Sequence, residues 1–582
     1  MTKILRVKMT KLEMCEENAA EKYSLLGGRG LTSKIISEEV DPKCQPLGKY
    51  NKIVIAPGLL TGTSAPCSGR LSFGGKSPLT GTIKEANAGG TASQKIAKLG
   101  YKAIIIEGMP EQSNLYVLKI NFGGAQIVEA NELRGLGTYD TVKALRDKYG
   151  NNYSVICIGP AGENKLLAAS IAVTNMEGQP SRHAGRGGLG AVLGSKGIKA
   201  IIAVDDGQDQ IAYANEKEFK EQAKSLAKSL VETKQVMTMY GTSCLVNIVN
   251  SLKGLPTYNF RRGDFEGAEK ISGESLKRKI EERNGKTGHP CHPGCVIRCS
   301  NVYNDEKGEY ITSGLEYETI ALTGSNCGID DLDVIAKIDR FCDDFGIDTM
   351  DTGVSIGILM EFGMLNFGDT NGVFKLLNEI KLLTPLGRVL GCGADITGKV
   401  FGISRVPTVK GQAISAYDPR TLKGTGITYA TSPMGADHTA GVCLPGKVGY
   451  REETKDSSKI NYAGGDKKQV ALSSDLQVMI SVCDSLGICI MVGVSPNMME
   501  VFAALMNKRF GLSVNGKDLI KLGQDMLLTE ISFNRAASTN NSTKDDLPEF
   551  FREEKLEPNG NVFDVLVSDM GEVFNFSPEN SY

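Results

Sequence analysis

Hydrophobic positions in the first two hundred residues come as short runs rich in β-branched side chains. Gly, Ser, Thr and Pro separate these runs, a pattern typical of strands joined by turns. The segments that predict strands are KIVIAPG, KAIIIEGM, SNLYVLKI, AQIVEA, YSVICIGP and KAIIAVDD. Helical spacing is rarer in this region and occurs in TASQKIAKLG and YDTVKALRDKYG. The pattern therefore predicts a β-rich N-terminal domain over residues 1–208.

From about residue 209 the hydrophobic spacing becomes helical. The segment NEKEFKEQAKSLAKSLVETKQVMTMYGT combines apolar residues at helical spacing with dense charge, and similar patterns continue to the C-terminus. A chain of 582 residues is long enough for about three to four domains. We predict an α+β protein in which two mainly helical domains, over 209–410 and 411–582, follow the β-rich domain.

Two distant segments repeat one pattern. DVIAKIDRFCDDFGID in the middle and DLQVMISVCDSLGIC near the end are apolar helices that run into D-x-x-G-I. Gly346 and Gly487 suit the left-handed position that ends a helix, and the preceding Asp can face whatever lies there. Two unrelated Gly-terminated helices would give the same pattern. The matched spacing favours two related domains that bind two copies of one ligand.

Charge and composition exclude several classes of protein. Lys and Arg total 66 against 68 Asp and Glu, so there is no basic excess for nucleic acid binding. The N-terminus lacks the apolar core of a signal peptide, and no run approaches the ~18 apolar residues of a membrane span. Fourteen cysteines without a secretion signal indicate reduced thiols rather than disulfides. These features predict a soluble cytoplasmic protein.

One cysteine cluster stands out. HPCHPGCVIRCSN places Cys291, Cys295 and Cys299 at C-x3-C-x3-C spacing. Three thiolates within nine residues can converge on one centre, either an iron–sulfur cluster or zinc. Zinc could recruit the adjacent His289 or His292, so a structural Cys3His zinc site remains an alternative.

A [4Fe–4S] cluster needs a fourth ligand, and none follows locally. We favour Cys489, because the second D-x-x-G-I copy ends in Cys where the first ends in Asp348. That difference is expected if one copy lies next to a cluster. Cys483 and Cys327 are the competing candidates.

Two glycine-rich segments favour close approach of backbone to a ligand. GRGGLG at 185–190 matches G-x-G-x-x-G, but no strand is predicted directly before it, so a nicotinamide-dependent dehydrogenase is the weaker interpretation. Its backbone N–H groups could hold phosphates without that fold. The segment GLLTGTSAPCSGRLSFGGKSPLTGTIKEANAGG is too long for a simple connection. It contains Arg70 and Asn87, which suit phosphate and amide recognition.

Candidates for proton transfer are few, because the chain has only four His. His438 in SPMGADHTAG is the one that lies outside the cysteine cluster and the glycine-rich segments. Glu316 and Glu318 in SGLEYETIALTG are carboxylates in an apolar setting, where burial would raise their pKa. A structural His and helix-surface Glu residues are the alternatives.

Taken in order along the chain, these motifs resemble those of the aldehyde:ferredoxin oxidoreductase family. The resemblance runs essentially from end to end. It is carried by GGRGLTSKIISEE, TGTSAPCSGRLSFGGKSPLTGTIKEANAGG, AGRGGLGAVLGSKGIKAI, GLEYETIALTG, DDFGIDT and DSLGIC.

The resemblance implies a fold, cofactors and a reaction. The fold is α+β, with a β-rich domain that holds the cofactor and two helical domains. One tungsten, or molybdenum, is held between two molybdopterin-type pterins, with Mg²⁺ bridging their phosphates and one [4Fe–4S] cluster nearby. The reaction is oxidation of an aldehyde to a carboxylic acid, or its reverse, with ferredoxin or a ferredoxin-like subunit as electron partner.

The resemblance also assigns roles by motif match. The residues assigned to one pterin are Asp343 and Asp348, and the residues assigned to the other pterin are Asp484 and Ile488. The phosphate, magnesium and pterin-contacting segments correspond to Arg70, Asn87, Gly89, Arg182, His183 and Ala184. The cluster ligands are Cys291, Cys295, Cys299 and Cys489, and the substrate pocket is lined by Tyr317, Glu318 and His438.

One departure concerns the cysteine spacing. Many family members have C-x2-C where this chain has C-x3-C, which points to a subgroup found mainly in anaerobic bacteria and often paired with polyferredoxin-like subunits. A zinc or iron–sulfur structural or electron-carrier subunit, without a substrate of its own, is the alternative function.

Overall fold

The computed structural model describes residues 2–455, 467–538 and 545–576. Its N-terminal part contains two six-stranded sheets. The strands of the first sheet are β1 (Lys3–Lys8), β2 (Glu13–Asn18), β3 (Ile53–Pro57), β4 (Leu71–Lys76), β5 (Ile83–Ala88) and β6 (Tyr101–Glu107). The strands of the second sheet are β7 (Tyr116–Asn121), β8 (Gly124–Glu129), β9 (Ser154–Cys157), β10 (Ile171–Val173), β11 (Arg182–Ala184) and β12 (Ile198–Ala203).

The two sheets repeat one topology. Their orders are β2-β1-β6-β3-β4-β5 and β8-β7-β12-β9-β10-β11. In each, the first strand pairs in parallel with the sixth, and all other neighbours are antiparallel. The helices of this part are α1 (Gly28–Glu39), α2 (Ala92–Lys98), α3 (Thr138–Tyr149), α4 (Pro160–Glu163) and α5 (Leu189–Ser195). Since α1 and α3 follow the second strand of each sheet, and α2 and α5 follow the fifth, this region is a structural duplication.

Side chains along the central strands point alternately to the two faces of each sheet, and this places them in different layers of the region. Ile104 and Ile106 of β6 contribute to one core that both sheets share, whereas Ile105 points to the opposite face, which α1 covers. In the second sheet Ile201 lies in the shared core and Ile202 faces α3. Strands buried on both faces have continuous hydrophobic runs, which is why β6 and β12 were recognisable in the sequence.

Helices dominate the rest of the chain. Their bounds are α6 (Glu216–Thr233), α7 (Gln235–Tyr240), α8 (Leu245–Ser251), α9 (Gly273–Glu282), α10 (Tyr317–Thr323), α11 (Leu332–Phe345), α12 (Thr349–Glu361), α13 (Thr370–Lys381), α14 (Pro385–Gly391), α15 (Ala394–Phe401), α16 (Lys423–Thr431), α17 (Lys467–Leu486), α18 (Pro496–Phe510), α19 (Gly516–Ala537), α20 (Phe550–Glu553) and α21 (Val567–Met570). Two small sheets interrupt them, formed by β13 (Lys286–His289), β14 (Ser300–Asn304) and β15 (Tyr310–Ser313), and by β16 (Thr408–Val409) and β17 (Gln412–Ala413).

The predicted α+β class is confirmed, and all six predicted strands and both predicted helices of the N-terminal region are present. The domain borders at 208 and 410 stay predictions. Helix α6 from the second predicted domain packs against α18 from the third. Within the described ranges, none of the helices has the length and apolar character required to cross a membrane.

One prediction about the glycine-rich segment at 185–190 is wrong. These residues follow β11 directly, since that strand ends at Ala184, and they lead into α5. The pairing partners nevertheless make β11 antiparallel to β12, the strand after α5. A dinucleotide-binding unit requires two parallel strands around such a helix, so this segment does not form one.

Candidate active site

The two D-x-x-G turns lie at equivalent places on the two sheets. Gly346 and Gly487 both have left-handed φ, +76° and +77°, as the helix-end pattern predicted. Each packs against a glycine that follows the third strand of a sheet. A Cβ on Gly159 would lie 2.3 Å from the Phe345 carbonyl oxygen, and one on Gly58 would lie 2.0 Å from the Gly487 nitrogen. Only a residue without a side chain allows this approach of backbone to backbone.

The first turns of α1 and α3 contact these two turns in the same way. The Gly30 backbone N–H donates to Ser485 Oγ at 3.0 Å, and the Tyr139 backbone N–H donates to Asp344 Oδ1 at 3.1 Å. Ser485 and Asp344 both follow the aspartate of their D-x-x-G turn. The duplication of the sheets therefore extends to the helical segments that dock on them.

The predicted ligand-binding residues form two matching pairs. Asn87 Nδ2 donates to Asp484 Oδ1 at 3.2 Å, and His183 Nε2 lies 3.2 Å from Asp343 Oδ1. Asn87 and His183 are each one residue from the end of β5 and β11, which are equivalent strands. Each pair thus joins one sheet to one D-x-x-G turn.

Asp343 is buried and Asp484 is largely buried. Burial raises the pKa of Asp343 to about 7, and burial together with the neighbouring Glu85 carboxylate raises the pKa of Asp484 to about 8. Arg182 and Arg29 oppose these rises at Asp343 and Asp484 respectively. Each aspartate can therefore change between a hydrogen-bond donor and an anionic acceptor near neutral pH.

Two arginines, Arg182 which is buried and Arg70 which is partly buried, connect these aspartates to the cysteine loop. The Arg70 guanidinium interacts electrostatically with Cys291 and Asp484, and Arg182 does so with Cys291 and Asp343. Arg182 Nε is buried and has no hydrogen-bond partner among the described residues. Such a donor, beside carboxylates and among buried cations, fits an anionic group such as a phosphate or pterin.

The two D-x-x-G turns differ at their last position. Asp348 caps α12 by accepting from the Met350 N–H at 2.9 Å, and its other oxygen lies 3.3 Å from Arg186 Nε. The backbone N–H groups are alike, since Asp348 donates to the Ala168 carbonyl and Cys489 donates to the Cys67 carbonyl, both at 2.9 Å. Ile488, which precedes Cys489, is a buried core residue. Cys489 offers a thiol where Asp348 offers a carboxylate, and this thiol interacts electrostatically with Cys299 of the cysteine loop.

The three clustered cysteines lie in the loop between β13 and β14. Cys291, His292 and Cys295 present ligand atoms within 4.8 Å of one another. Cys299 interacts electrostatically with Cys295 and with Cys489 from the distant turn. The four predicted ligands are therefore brought to one place. Gly89 lies against them, since a Cβ there would be 3.3 Å from Cys291 Sγ.

The competing cysteines are placed differently. The Cys327 sulfur lies 3.4 Å from the carbonyl oxygens of Leu322 and Gly353, in the core of the helical region. Cys483 lies in α17 and shares one apolar core with Cys489. The structure favours Cys489 over Cys327 as a partner of the cysteine loop, while Cys483 remains a neighbour of Cys489.

The histidines beside the loop bear on the zinc alternative. His289 Nε2 lies 2.6 Å from Glu177 Oε1, and His289 is not part of the compact group of ligand atoms. His292 Nδ1 lies 3.1 Å from Cys291 Sγ, and burial lowers the pKa of His292 to about 4, so it is a neutral imidazole. The compact group of Cys291, His292 and Cys295 fits zinc, whereas the wider set of four thiols fits a [4Fe–4S] cluster.

A second group of predicted residues surrounds a buried carboxylate. Glu318 Oε2 accepts from the Ala416 N–H at 2.8 Å, and Glu318 Oε1 lies 3.3 Å from His438 Nε2. Oε1 has no hydrogen-bond partner among the described residues. Burial raises the pKa of Glu318, with His438 as the main opposing charge. This pair has the proximity and the shifted acidity that proton transfer requires.

Aromatic side chains enclose the pair. The Tyr417 ring lies between Tyr317 and His438, at centroid distances of 5.2 and 6.0 Å. The Tyr317 hydroxyl donates to the Ala416 carbonyl at 2.6 Å, so it braces the backbone that holds Glu318. Tyr317 is therefore a supporting residue in this structure rather than one with a free hydroxyl.

Arg186 connects this pair to the first D-x-x-G turn. Its Nη1 donates to Ser415 Oγ at 3.2 Å, and the same oxygen lies 3.2 Å from His438 Nδ1. Since Arg186 Nε also lies 3.3 Å from Asp348 Oδ2, this buried cation joins the Asp348 turn to the Ser415 hydroxyl beside His438. The Glu318–His438 pair and the first D-x-x-G turn therefore belong to one site.

Several residues of this site were not predicted. Arg186 and Arg29 lie within glycine-rich motifs, so their charge was a usable signal, as was the position of Cys67 in the long loop. Lys84 is fully buried, 3.4 Å from Asp437 Oδ2, and Glu530 pairs with Arg29 at 2.8 Å. Nothing in their local sequence distinguishes them. Ala184, which was predicted, only packs its methyl group in the core between the sheets.

The duplicated sheets, the two aspartate turns and the cysteine loop fit an enzyme with a cofactor site between them. Comparison with known families supports this: residues 4–205 match the N-terminal domain of aldehyde ferredoxin oxidoreductase, and residues 218–574 match domains 2 and 3. The chain belongs to the aldehyde ferredoxin oxidoreductase family and is an oxidoreductase.

Individual relatives agree with this assignment. The tungsten-containing aldehyde ferredoxin oxidoreductase of Thermococcus kodakarensis is 32% identical over 95% of this chain and 92% of its own length. The aliphatic sulfonate oxidoreductase, WOR-like subunit, of Pyrococcus furiosus is 28% identical over 77% of this chain and 76% of its own. Among solved structures, the active site complex BamBC of benzoyl coenzyme A reductase with 1,5-dienoyl-CoA has a TM-score of 0.80. It covers 98% of this chain and 93% of its own at 19% identity, which shows the shared fold alone.

Proposed function

We propose that this protein oxidises an aldehyde to a carboxylic acid, or catalyses the reverse reaction, at a tungsten or molybdenum centre held by two pterins. The observation that carries the proposal is the buried Glu318–His438 pair, which Ser415 and Arg186 connect to the Asp348 turn. Relatives named as tungsten-containing aldehyde ferredoxin oxidoreductases support the metal and the substrate class.

The two matching pairs are the proposed pterin sites. Asp343 with His183 would hold one pterin, and Asp484 with Asn87 the other. Their equal placement on duplicated sheets fits a cofactor that contains two copies of one ligand. When bound, the metal–pterin centre supplies the two-electron redox chemistry.

Two arginines are the proposed partners of the pterin phosphates. Arg70 and Arg182 are each near one of the two aspartates, and the unpaired Nε of Arg182 offers a donor. A Mg²⁺ that bridges the phosphates remains part of the proposal, with Asn87 and the segment 182–184 as its neighbours. Guanidinium groups bind phosphate oxygens with strong charge-assisted hydrogen bonds.

The chain's own residues would handle protons and water. Oxidation of an aldehyde to an acid takes one water and releases two electrons and two protons. Glu318 Oε1 is buried and unpaired, so in its ionised form it can accept a proton, and His438 Nε2 at 3.3 Å can hold the next. The rings of Tyr317 and Tyr417 restrict bulk water around this pair.

The cysteine group is the proposed site of one [4Fe–4S] cluster, with Cys291, Cys295, Cys299 and Cys489 as ligands. The electron acceptor would be ferredoxin or a ferredoxin-like subunit, and the C-x3-C spacing supports the latter. A cytoplasmic location is part of the proposal, since none of the fourteen cysteines forms a disulfide, as expected in a reducing compartment.

Metal analysis coupled to turnover tests the proposal. Protein produced anaerobically with tungstate should contain tungsten or molybdenum and about four iron atoms per chain, and it should reduce a low-potential dye with aldehydes. His438→Ala should retain these metals and lose most turnover, on the order of 10²-fold or more. Zinc without tungsten or molybdenum would instead identify a structural or carrier subunit, and full turnover in the variant would remove His438 from catalysis.

A further inference from the structure

A fifth thiol lies among the proposed cluster ligands. Cys67 belongs to the loop between β3 and β4 and is 1% exposed. Its backbone joins the two segments that carry the ligands: the Cys67 N–H donates to the Gly294 carbonyl, and its carbonyl accepts from the Cys489 N–H, both at 2.9 Å. The residue is therefore held between Cys295, which follows Gly294, and Cys489.

The backbone conformation at this position is unusual for a residue with a side chain. Cys67 has φ +57°, in the left-handed region that glycine adopts without steric cost. A residue with a Cβ pays about 1 kcal/mol or more there, and such strain persists only where surrounding contacts enforce it. The two backbone hydrogen bonds supply that enforcement, and they place a thiol where the conformation alone would favour glycine.

These backbone bonds place the Cys67 thiol beside two of the proposed ligands. It interacts with the Cys295 thiol and electrostatically with Cys489. Cys67 is not one of the four residues that the ligand motif assigns. Hydrogen bonds to ligand sulfurs stabilise the reduced, more negative state of a cluster and raise its reduction potential.

We propose that Cys67 is a positioning residue that donates an S–H···S hydrogen bond to the Cys295 sulfur and raises the reduction potential of the cluster. The inference rests on the proposed function, because it requires an iron–sulfur cluster at this site. It adds a specific consequence: the thiol sets how readily the cluster accepts an electron from the metal centre, without being a ligand itself.

The chain offers variants that separate donor loss from misfolding. Cys67→Gly removes the thiol and suits the left-handed backbone, Cys67→Ala removes it with the strain retained, and Cys67→Ser keeps a donor. Cys443→Ala is the matched control, because Cys443 is a buried thiol of the same apolar core that lies against Gly441 and Thr425. Each holoprotein would be titrated electrochemically while the EPR signal of the reduced cluster is recorded.

We expect the glycine and alanine variants to keep iron content and EPR intensity while the cluster becomes harder to reduce. The expected change is about tenfold in the reduction equilibrium, or ~59 mV for one electron. The serine variant should stay near the wild type, and Cys443→Ala should match it.

Two results would overturn the inference. Potentials of Cys67→Gly and Cys67→Ala equal to that of the control would show that no donor acts on the cluster. Loss of iron in these folded variants, with the cluster retained in Cys489→Ser, would make Cys67 a ligand. A wild-type protein without iron or a cluster signal would refute the proposed function itself, which is a distinguishable outcome.

Discussion

Replacing Glu318 by Gln tests the proton-transfer pair with the least change in shape. The amide carbonyl can keep the 2.8 Å hydrogen bond from the Ala416 N–H, so the backbone around the site should not move. The amide NH₂ would then face His438 Nε2 in place of the unpaired carboxylate oxygen, now 3.3 Å away. The variant thus loses a proton acceptor but no packing.

The size of the effect follows from the role assigned to the carboxylate. A positioned general base contributes about 10²- to 10⁴-fold in rate, which corresponds to about 3 to 5 kcal/mol of transition-state stabilisation. We expect kcat/KM for aldehyde oxidation, normalised to tungsten or molybdenum content, to fall by this factor. The EPR signal of the cluster should stay unchanged, because Glu318 is not among the cysteine ligands.

A double-mutant cycle gives the control. The cycle uses Glu318→Gln, His438→Gln and the variant with both changes. The kcat/KM of the double variant should be no more than a few-fold below that of the worse single variant, since both changes disable one unit. A fall of less than threefold in Glu318→Gln, or effects that multiply fully in the double variant, would refute the assigned pair.

Three further outcomes are expected. Because burial raises the pKa of Glu318, kcat/KM should rise with pH through a limb above the ordinary carboxylate value of about 4, as the group ionises to accept a proton; a pH profile of Glu318→Gln that keeps this limb would contradict the assignment. Gly159→Ala places a methyl group 2.3 Å from a carbonyl oxygen and should lower the free energy of unfolding by about 1–3 kcal/mol in denaturant titration. The control is Gly185→Ala, which has open space around the new methyl group and should change the free energy of unfolding by less than about 0.5 kcal/mol. Glu530→Ala leaves the buried charge of Arg29 without its 2.8 Å partner and should cost about 3–5 kcal/mol in the same assay; a loss below 1 kcal/mol would show that Asp484 alone compensates this cation.

Local spacing carried the prediction of the cysteine loop, and the repeated D-x-x-G pattern carried the prediction of Cys489. The structure places the residues named by these two predictions near one another. The D-x-x-G pattern was informative because a left-handed glycine after a helix has a defined geometry that sequence can signal. The duplication of the sheets escaped prediction, since β1, β2, β4, β5, β10 and β11 lack the continuous hydrophobic runs of central strands. The three-residue β11 exists only through its pairing with β10, which is why the glycine segment was wrongly placed after a loop.

The sequence by itself determined the α+β class, the family, the cysteine loop and the two aspartate turns, because each depends on short-range patterns of hydrophobicity, glycine and ligand spacing. Only the tertiary structure decided which partners these groups have. Asn87 and His183 became equivalent through sheet topology, Arg186 came to contact both Asp348 and Ser415, and Cys67 came to lie between Gly294 and Cys489. These contacts join segments far apart in the chain, and the burial that shifts the pKa values of the carboxylates arises only when the segments pack together.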